Sequence, residues 1–229
     1  MGGVPSLAVT DPVQLHVVDR GQGPTLLFVH GWLNDANVWG GVIEELSGDF
    51  RCIAVDLRGH GQSEAAGLGN YGRALVLDDL RRILDEREIE QAVVVGHSLG
   101  GYLALALAIE DPQRVGGLGL VAAGPGFRNP DTREQWNDSV RATAADRDIP
   151  EGMEAISMHV DAMVMDRLGE INAPACVIVG ARDKRFLASA DVFDKYLDVK
   201  ERHIIDEMGH MVHVKAPEAV ASALRSVFA

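Results

Sequence analysis

Short apolar runs alternate with longer stretches of helical spacing along most of this chain. Leu26-Leu27-Phe28-Val29, residues 51–55, Val93-Val94-Val95, Val115–Val121 and Cys176–Val179 are largely continuous apolar segments rather than alternating ones. Such runs suit strands covered on both faces. Between them, Ala36–Leu46, Tyr71–Glu88 and Tyr102–Ile109 read as helices. Glu201–Ile205 reads as the last strand, before a terminal helix at 217–228. Strands alternating with helices predict right-handed crossovers and an α/β fold with a mostly parallel, twisted sheet and helices on both faces. Residues 6–9 and 13–18, parted by Asp11-Pro12, read as an antiparallel hairpin at a sheet edge. Gly21-Gln22-Gly23-Pro24 reads as the turn that follows.

One segment breaks the alternation. Gly124 to Pro174 separates two strands by about fifty residues, where a crossover needs about a dozen or more. Helical stretches are expected near 131–146 and 151–168. The second carries Met153, Ile156, Val160, Met163 and Val164 on one face, and four of the seven methionines fall in this segment. Two readings stay open: an amphipathic helix packed on the core, or a cap whose flexible apolar side chains line an adaptable pocket. With no repeat, low-complexity tract or linker, residues 1–229 read as one domain with a small helical cap inserted at about 125–170.

Composition narrows the partners. The 229 residues are 47% hydrophobic and 24% charged, ordinary for a globular chain, and the formal net charge is −13. That charge argues against nucleic acid and anionic membranes as partners. No apolar stretch is long enough to span a bilayer, and no basic region followed by an apolar run marks a signal peptide. Cytoplasmic residence is therefore expected. Cys52 and Cys176 sit inside apolar runs and read as buried free thiols. No CxxC or HExxH spacing points to a metal, and no cofactor is expected. The oligomeric state is left open.

The chemistry concentrates at strand ends. Gly96-His97-Ser98-Leu99-Gly100-Gly101 lies between an apolar run and a helical one, as a nucleophile elbow requires. The serine sits on a tight, strained bend, and side chains at 96 or 100 would clash as strand and helix close up. Leu99 then aims its backbone N–H at the reacting oxygen. A serine hydroxyl needs a base, and the base needs an orienting partner. Of eight histidines, His210 follows the last strand in the loop after Glu207-Met208-Gly209, at the edge where parallel sheets place ligands. His213 is a rival base, with packing beside the loop as its other reading. Asp183, after Gly180-Ala181-Arg182, is the candidate acid. An Asp in a loop also serves as a turn or helix cap, and Asp206 is a weaker rival. The order Ser98, Asp183, His210 matches this elbow class. A second oxyanion donor is expected from the loop after an early strand, His30-Gly31-Trp32, through the Trp32 N–H. The Trp32 side chain either lines the acyl pocket or packs in the core.

Together with Asp56-Leu57-Arg58-Gly59-His60-Gly61-Gln62-Ser63 and Gly209-His210-Met211-Val212-His213, these stretches resemble the α/β-hydrolase superfamily, in its branch of compact capped enzymes. The matches run in the family's order over nearly the whole chain. The resemblance implies Ser98 as nucleophile, His210 as general base, Asp183 as orienting acid, and Leu99 and Trp32 as oxyanion donors. It implies a structural role for the Asp56–Ser63 loop. Dehalogenase and epoxide hydrolase relatives carry aspartate at the elbow, so both activities are disfavoured. Lys184-Arg185-Phe186 stands where relatives often carry a proline, a change expected to alter the pocket rim.

The expected activity is cofactor-independent hydrolysis of a small-to-medium carboxylic ester, a small-molecule substrate, through an acyl-enzyme. The same triad serves C–C bond hydrolases, enol-lactonases, thioesterases and perhydrolases, which remain alternatives. A carboxylate-binding group in the cap would discriminate them, with Arg128, Arg133, Arg141 and Arg147 as candidates beside their reading as a solvated helix face. A non-catalytic ligand receptor is the reading from another class, and the intact triad and elbow glycines weigh against it.

Overall fold

A computed structural model of the chain describes residues 12–229. The expected strand at 6–9 lies outside the described residues. Among the described residues, seven strands form one sheet: β1 Val17–Arg20, β2 Thr25–Val29, β3 Arg51–Val55, β4 Ala92–His97, β5 Val115–Val121, β6 Pro174–Gly180 and β7 Asp198–Ile205. Their spatial order is β1-β3-β2-β4-β5-β6-β7. β1 is antiparallel to β3 and every other pair is parallel. The helices are α1 Gly40–Leu46, α2 Arg73–Glu86, α3 Leu99–Glu110, α4 Pro130–Ala145, α5 Met163–Arg167, α6 Lys184–Tyr196, α7 Val212–Lys215 and α8 Pro217–Phe228.

The continuous apolar runs have the expected cause. Alternate residues of each strand face opposite layers. Leu26, Phe28, Cys52 and Ala54 pack with Trp39, Leu46, Val220 and Leu224 on the face covered by α1 and α8. Leu27, Val29, Ile53 and Val55 pack with Leu77, Leu80, Leu103 and Leu107 on the face covered by α2 and α3. α3 is buried from Leu99 through Ile109, which explains its Leu-Ala repeat and its lack of a polar face. Cys52 and Cys176 are buried free thiols, each pushed up to about 12 chiefly by burial. No helix among the described residues is long and apolar enough to cross a membrane.

Three expectations are corrected. The edge strand covers 17–20, not 13–18, and pairs with β3. The backbones of Gln14 and His16 are instead tied to the 56–64 loop, through Glu64 Oε2 and Ser63 Oγ at 2.9 Å each. Residues 151–168 are not one helix. A 3-10 turn at Met153–Ile156 and the short α5 flank an irregular stretch. There the Trp136 indole donates to Ser157 O at 2.8 Å, and the Asn137 amide bonds both the N–H and the carbonyl of His159. Asp161 is drawn away by a two-pronged pair with Arg73 at 2.8 Å. These bonds take backbone and side-chain groups that a continuous helix would use otherwise, and Val160 is left 75% exposed. Finally, α6 is not among the expected helices, although Phe186, Ala190 and Phe193 recur at helical spacing.

β2 has β3 on one side and β4 on the other, so the chain winds away in both directions from the β2–β4 pair. The carboxyl ends of those two strands therefore border the crevice where open α/β sheets bind ligands. They carry His30-Gly31-Trp32 and Gly96-His97-Ser98.

Candidate active site

Ser98 has φ 52° and ψ −113°, a conformation that L residues rarely adopt. Its N–H donates to Val121 O at 3.0 Å, and its carbonyl accepts from Gly101 and Tyr102 at 3.1 and 3.2 Å, which locks the bend between β4 and α3. The elbow glycines are required by contact. A Cβ on Gly96 would overlap the backbone of Gly100, and one on Gly100 would overlap the Val29 carbonyl. Leu99 opens α3, so its N–H belongs to the first turn, whose donors have no intrahelical partner.

The loop after β2 closes on the elbow from the other side. A Cβ on Gly31 would stand 3.3 Å from the Ser98 Cβ and 2.7 Å from His97 Nδ1. Asn34 N donates to Gly31 O at 3.1 Å, with Leu33 in the left-handed region at φ 62°, so the turn leaves the Trp32 N–H out of its closing bond. The buried His30 fastens this loop. Its Nε2 accepts from Leu57 N at 2.9 Å, so the proton is on Nδ1, which donates to Gly31 O at 2.7 Å. Burial lowers His30 to about 4, so the ring stays neutral. The Trp32 side chain packs against the α2–α3 core cluster and not on the cavity wall. Asp56 accepts from Ala36 N and Gln62 N at 2.6 and 2.8 Å, a structural use of the 56–63 loop.

His210 and Asp183 meet: His210 Nδ1 lies 2.7 Å from Asp183 Oδ2. Asp183 is buried and His210 is partly open. Asp183 precedes α6, yet its side chain does not cap that helix; the carboxylate is turned to His210 instead. An acceptor carboxylate holds the proton on Nδ1 and leaves Nε2 with a lone pair. Gly180 permits the approach, since a Cβ there would overlap Met208 O. Phe186 stacks on the His210 ring, 4.9 Å between centroids and 18° between planes. Ser98 Oγ forms no hydrogen bond with His210 among the described residues, although Ser98 and Phe186 line one cavity.

The two alternative residues stand outside this pair. His213 is fully buried between Trp39 and His97, with ring centroids 4.5 and 4.2 Å away and both nitrogens unpartnered. Burial lowers it to about 3, so the ring is neutral near pH 7. Asp206 is exposed and has no part in the His210–Asp183 pair.

The cavity beside Ser98 has a volume of about 360 Å³. Phe127, Trp136 and His159 come from the 125–170 segment, Tyr102 from α3, and Arg185 and Phe186 from α6. None of the four methionines of the segment lines it, so its walls are aromatic rather than flexible and aliphatic. Of the arginines in the 125–170 segment, Arg128 pairs with Asp166 and Arg141 with Glu134 and Asp138, as a solvated face requires. The arginine on the wall is Arg185, two residues past Asp183; the unusual Lys184-Arg185-Phe186 is the sequence signal of its place on the rim.

A family model described as the alpha/beta hydrolase fold matches residues 24–151. A pimeloyl-[acyl-carrier protein] methyl ester esterase of Nitrosomonas europaea is 41% identical over 113 residues, 49% of this chain and 42% of that protein. The match thus spans less than half of that relative's length. Among solved structures, a thermophilic esterase from Thermogutta terrifontis superposes with a TM-score of 0.79 at 24% identity, covering 94% of this chain and 93% of that one. A hydrolase from Pseudomonas aeruginosa superposes with a TM-score of 0.77 at 25% identity over 97% of both chains.

Proposed function

The chain belongs to the alpha/beta hydrolase fold family, and from that premise we propose that it is a serine hydrolase cleaving a carboxylic ester through an acyl-enzyme. The observation that carries the reading is the 2.7 Å pair of His210 Nδ1 with Asp183 Oδ2, set at the sheet edge that also holds the strained Ser98. The esterase name of the Nitrosomonas relative supports the reaction class.

In this mechanism the Ser98 hydroxyl gives its proton to His210 Nε2 as Oγ bonds the ester carbonyl carbon. Asp183 holds the tautomer and stabilises the imidazolium. The Leu99 and Trp32 N–H groups receive the oxyanion; one such donor is worth roughly 2.7–4 kcal/mol in the transition state. His210 then passes its proton to the leaving alkoxide as the C–O bond breaks. Water, deprotonated by His210, attacks the acyl-enzyme, and the returning proton frees Ser98 and the carboxylic acid. Residues 125–170 act as a cap that supplies the aromatic wall of the acyl site within a single domain.

The test is turnover of p-nitrophenyl acetate and butyrate. Ser98→Ala should remove hydrolysis while the circular dichroism spectrum stays unchanged. Hydrolysis near the native rate in that variant would end the proposal.

A further inference from the structure

The cavity beside Ser98 is unusual in charge. The chain has a formal net charge of −13, yet among the described residues no acidic side chain lines this cavity and one arginine, Arg185, does. Other arginines of the inserted segment and its anchor are neutralised at close range: Arg128 by Asp166, Arg141 by Glu134 and Asp138, Arg167 by Glu170, and Arg73 by Asp161. Arg185 has no carboxylate in ion-pair range among the described residues. Its guanidinium lies over the Trp136 ring, 5.5 Å from the centroid. Stacking of this kind orients the plane and leaves the N–H donors free.

The surroundings add to the imbalance. Arg133 donates to Phe127 O at 3.3 Å and makes no ion pair within 4 Å among the described residues, although Glu134 and Asp161 feel its charge. His159, 8% exposed, faces the same cavity. Burial first, and then the charge of Arg73, lower it to about 4, so it is neutral near pH 7. Arg185 is thus the one fixed charge on the cavity wall among the described residues, and it is positive. Neutral donors and acceptors make up the rest of the polar lining, among them Ser157 and Gln135.

We infer that the ester taken by this site carries a carboxylate on its acyl part, and that Arg185 is the specificity-determining residue that receives it. This inference rests on the serine-hydrolase reading of the same cavity. The guanidinium fork matches a carboxylate through two parallel N–H···O bonds, which a lysine does not reproduce. Arg185 is exposed at the cavity mouth, so solvent and salt screen the interaction and the preference is on the order of tenfold rather than thousands.

The experiment measures binding apart from turnover. Ser98→Ala protein is titrated with monomethyl adipate and with its neutral counterpart, the terminal amide of the same hemiester. The hemiester should bind about tenfold tighter, or about 1.4 kcal/mol. That ratio should collapse towards one in the Ser98→Ala, Arg185→Met double variant, recover only in part with Arg185→Lys, and shrink as salt rises. Equal affinities, a preference that survives Arg185→Met, or no binding of the hemiester at millimolar concentration would each overturn the inference. The serine-hydrolase reading is checked separately, by Ser98-dependent turnover of a neutral p-nitrophenyl ester in the native protein. A site that binds the hemiester selectively yet turns over no ester keeps the preference and loses the mechanism; the reverse result keeps the mechanism and loses the preference.

Discussion

His97 Nε2 donates a hydrogen bond to the backbone carbonyl of His210 at 3.0 Å. The residue beside the elbow serine thus holds the loop that carries His210. The rings of His97 and His210 also lie 4.6 Å apart. Burial and the neighbouring His213 keep His97 well below the usual histidine range, so it acts as a neutral donor with its proton on Nε2.

This makes His97 a positioning residue. His97→Leu should lower kcat by about tenfold, the scale of one lost hydrogen bond, with a smaller change in KM. His97→Gln, whose amide nitrogen reaches to a similar point, should recover most of the loss. Steady-state kinetics on p-nitrophenyl acetate decide it; equal kcat in both variants would show that the bond to His210 O is dispensable.

The His210–Asp183 pair makes a sharper demand. Asp183→Asn puts an amide where the carboxylate was, and its N–H donates to Nδ1 and favours the tautomer with the proton on Nε2. The base then faces the serine with its lone pair blocked. We expect kcat to fall roughly 10³–10⁴-fold with the fold retained. Asp206→Asn, at an exposed position, should stay within about twofold of the native rate.

The buried histidines make the protein sensitive to acid. His30 and His159 are lowered to about 4 and His213 to about 3, in each case chiefly by burial, against about 6.5 in an unfolded chain. Well above pH 6.5 these rings are neutral in both states and pH has no effect through them. As pH falls from 6.5 towards 4 the unfolded chain takes up protons that the folded chain refuses, and stability is lost. Urea midpoints should therefore decline steadily across that window. His213→Phe should flatten the decline by up to one proton's worth, because neither His213 nitrogen has a partner to lose. An unchanged slope would show that His213 is protonated alike in both states.

Glycines separate contact from mere flexibility. Gly100→Ala drives a Cβ into the Val29 carbonyl, and no rotamer relieves a clash with backbone. It should destabilise by about 2–3 kcal/mol and abolish turnover. Gly40 is the contrast: it is helical at φ −51°, and a methyl group there would meet nothing within 4 Å. Gly40→Ala should gain about 0.5 kcal/mol. Chemical denaturation of the two variants measures both.

Much of this architecture is legible in the chain because both signals are local. Continuous apolar runs report a sheet covered on two faces, and Gly96, Ser98 and Gly100 report a bend that few other residues tolerate. Asp183 and His210 are legible through chain order and their position after strands. What the chain does not disclose depends on contacts between distant residues. The 151–168 segment has helical spacing, but Asn137 and Arg73 recruit His159 and Asp161 and break it. Of the two readings open for this segment, a methionine-lined pocket does not hold: the wall is aromatic, with His159 beside Trp136 at 5.9 Å between centroids. Arg185 is legible only as an oddity of the rim; its lack of an acidic neighbour is a fact of three-dimensional placement.

Covalent trapping separates Ser98 as nucleophile from every other serine of the chain. The folded protein is treated with a fluorophosphonate, digested, and its adduct located by mass spectrometry. A single phosphonylated residue, Ser98, is expected, with labelling absent in Ser98→Ala and slowed in Asp183→Asn. A folded protein that remains unlabelled, or an adduct on a serine other than Ser98, would contradict it.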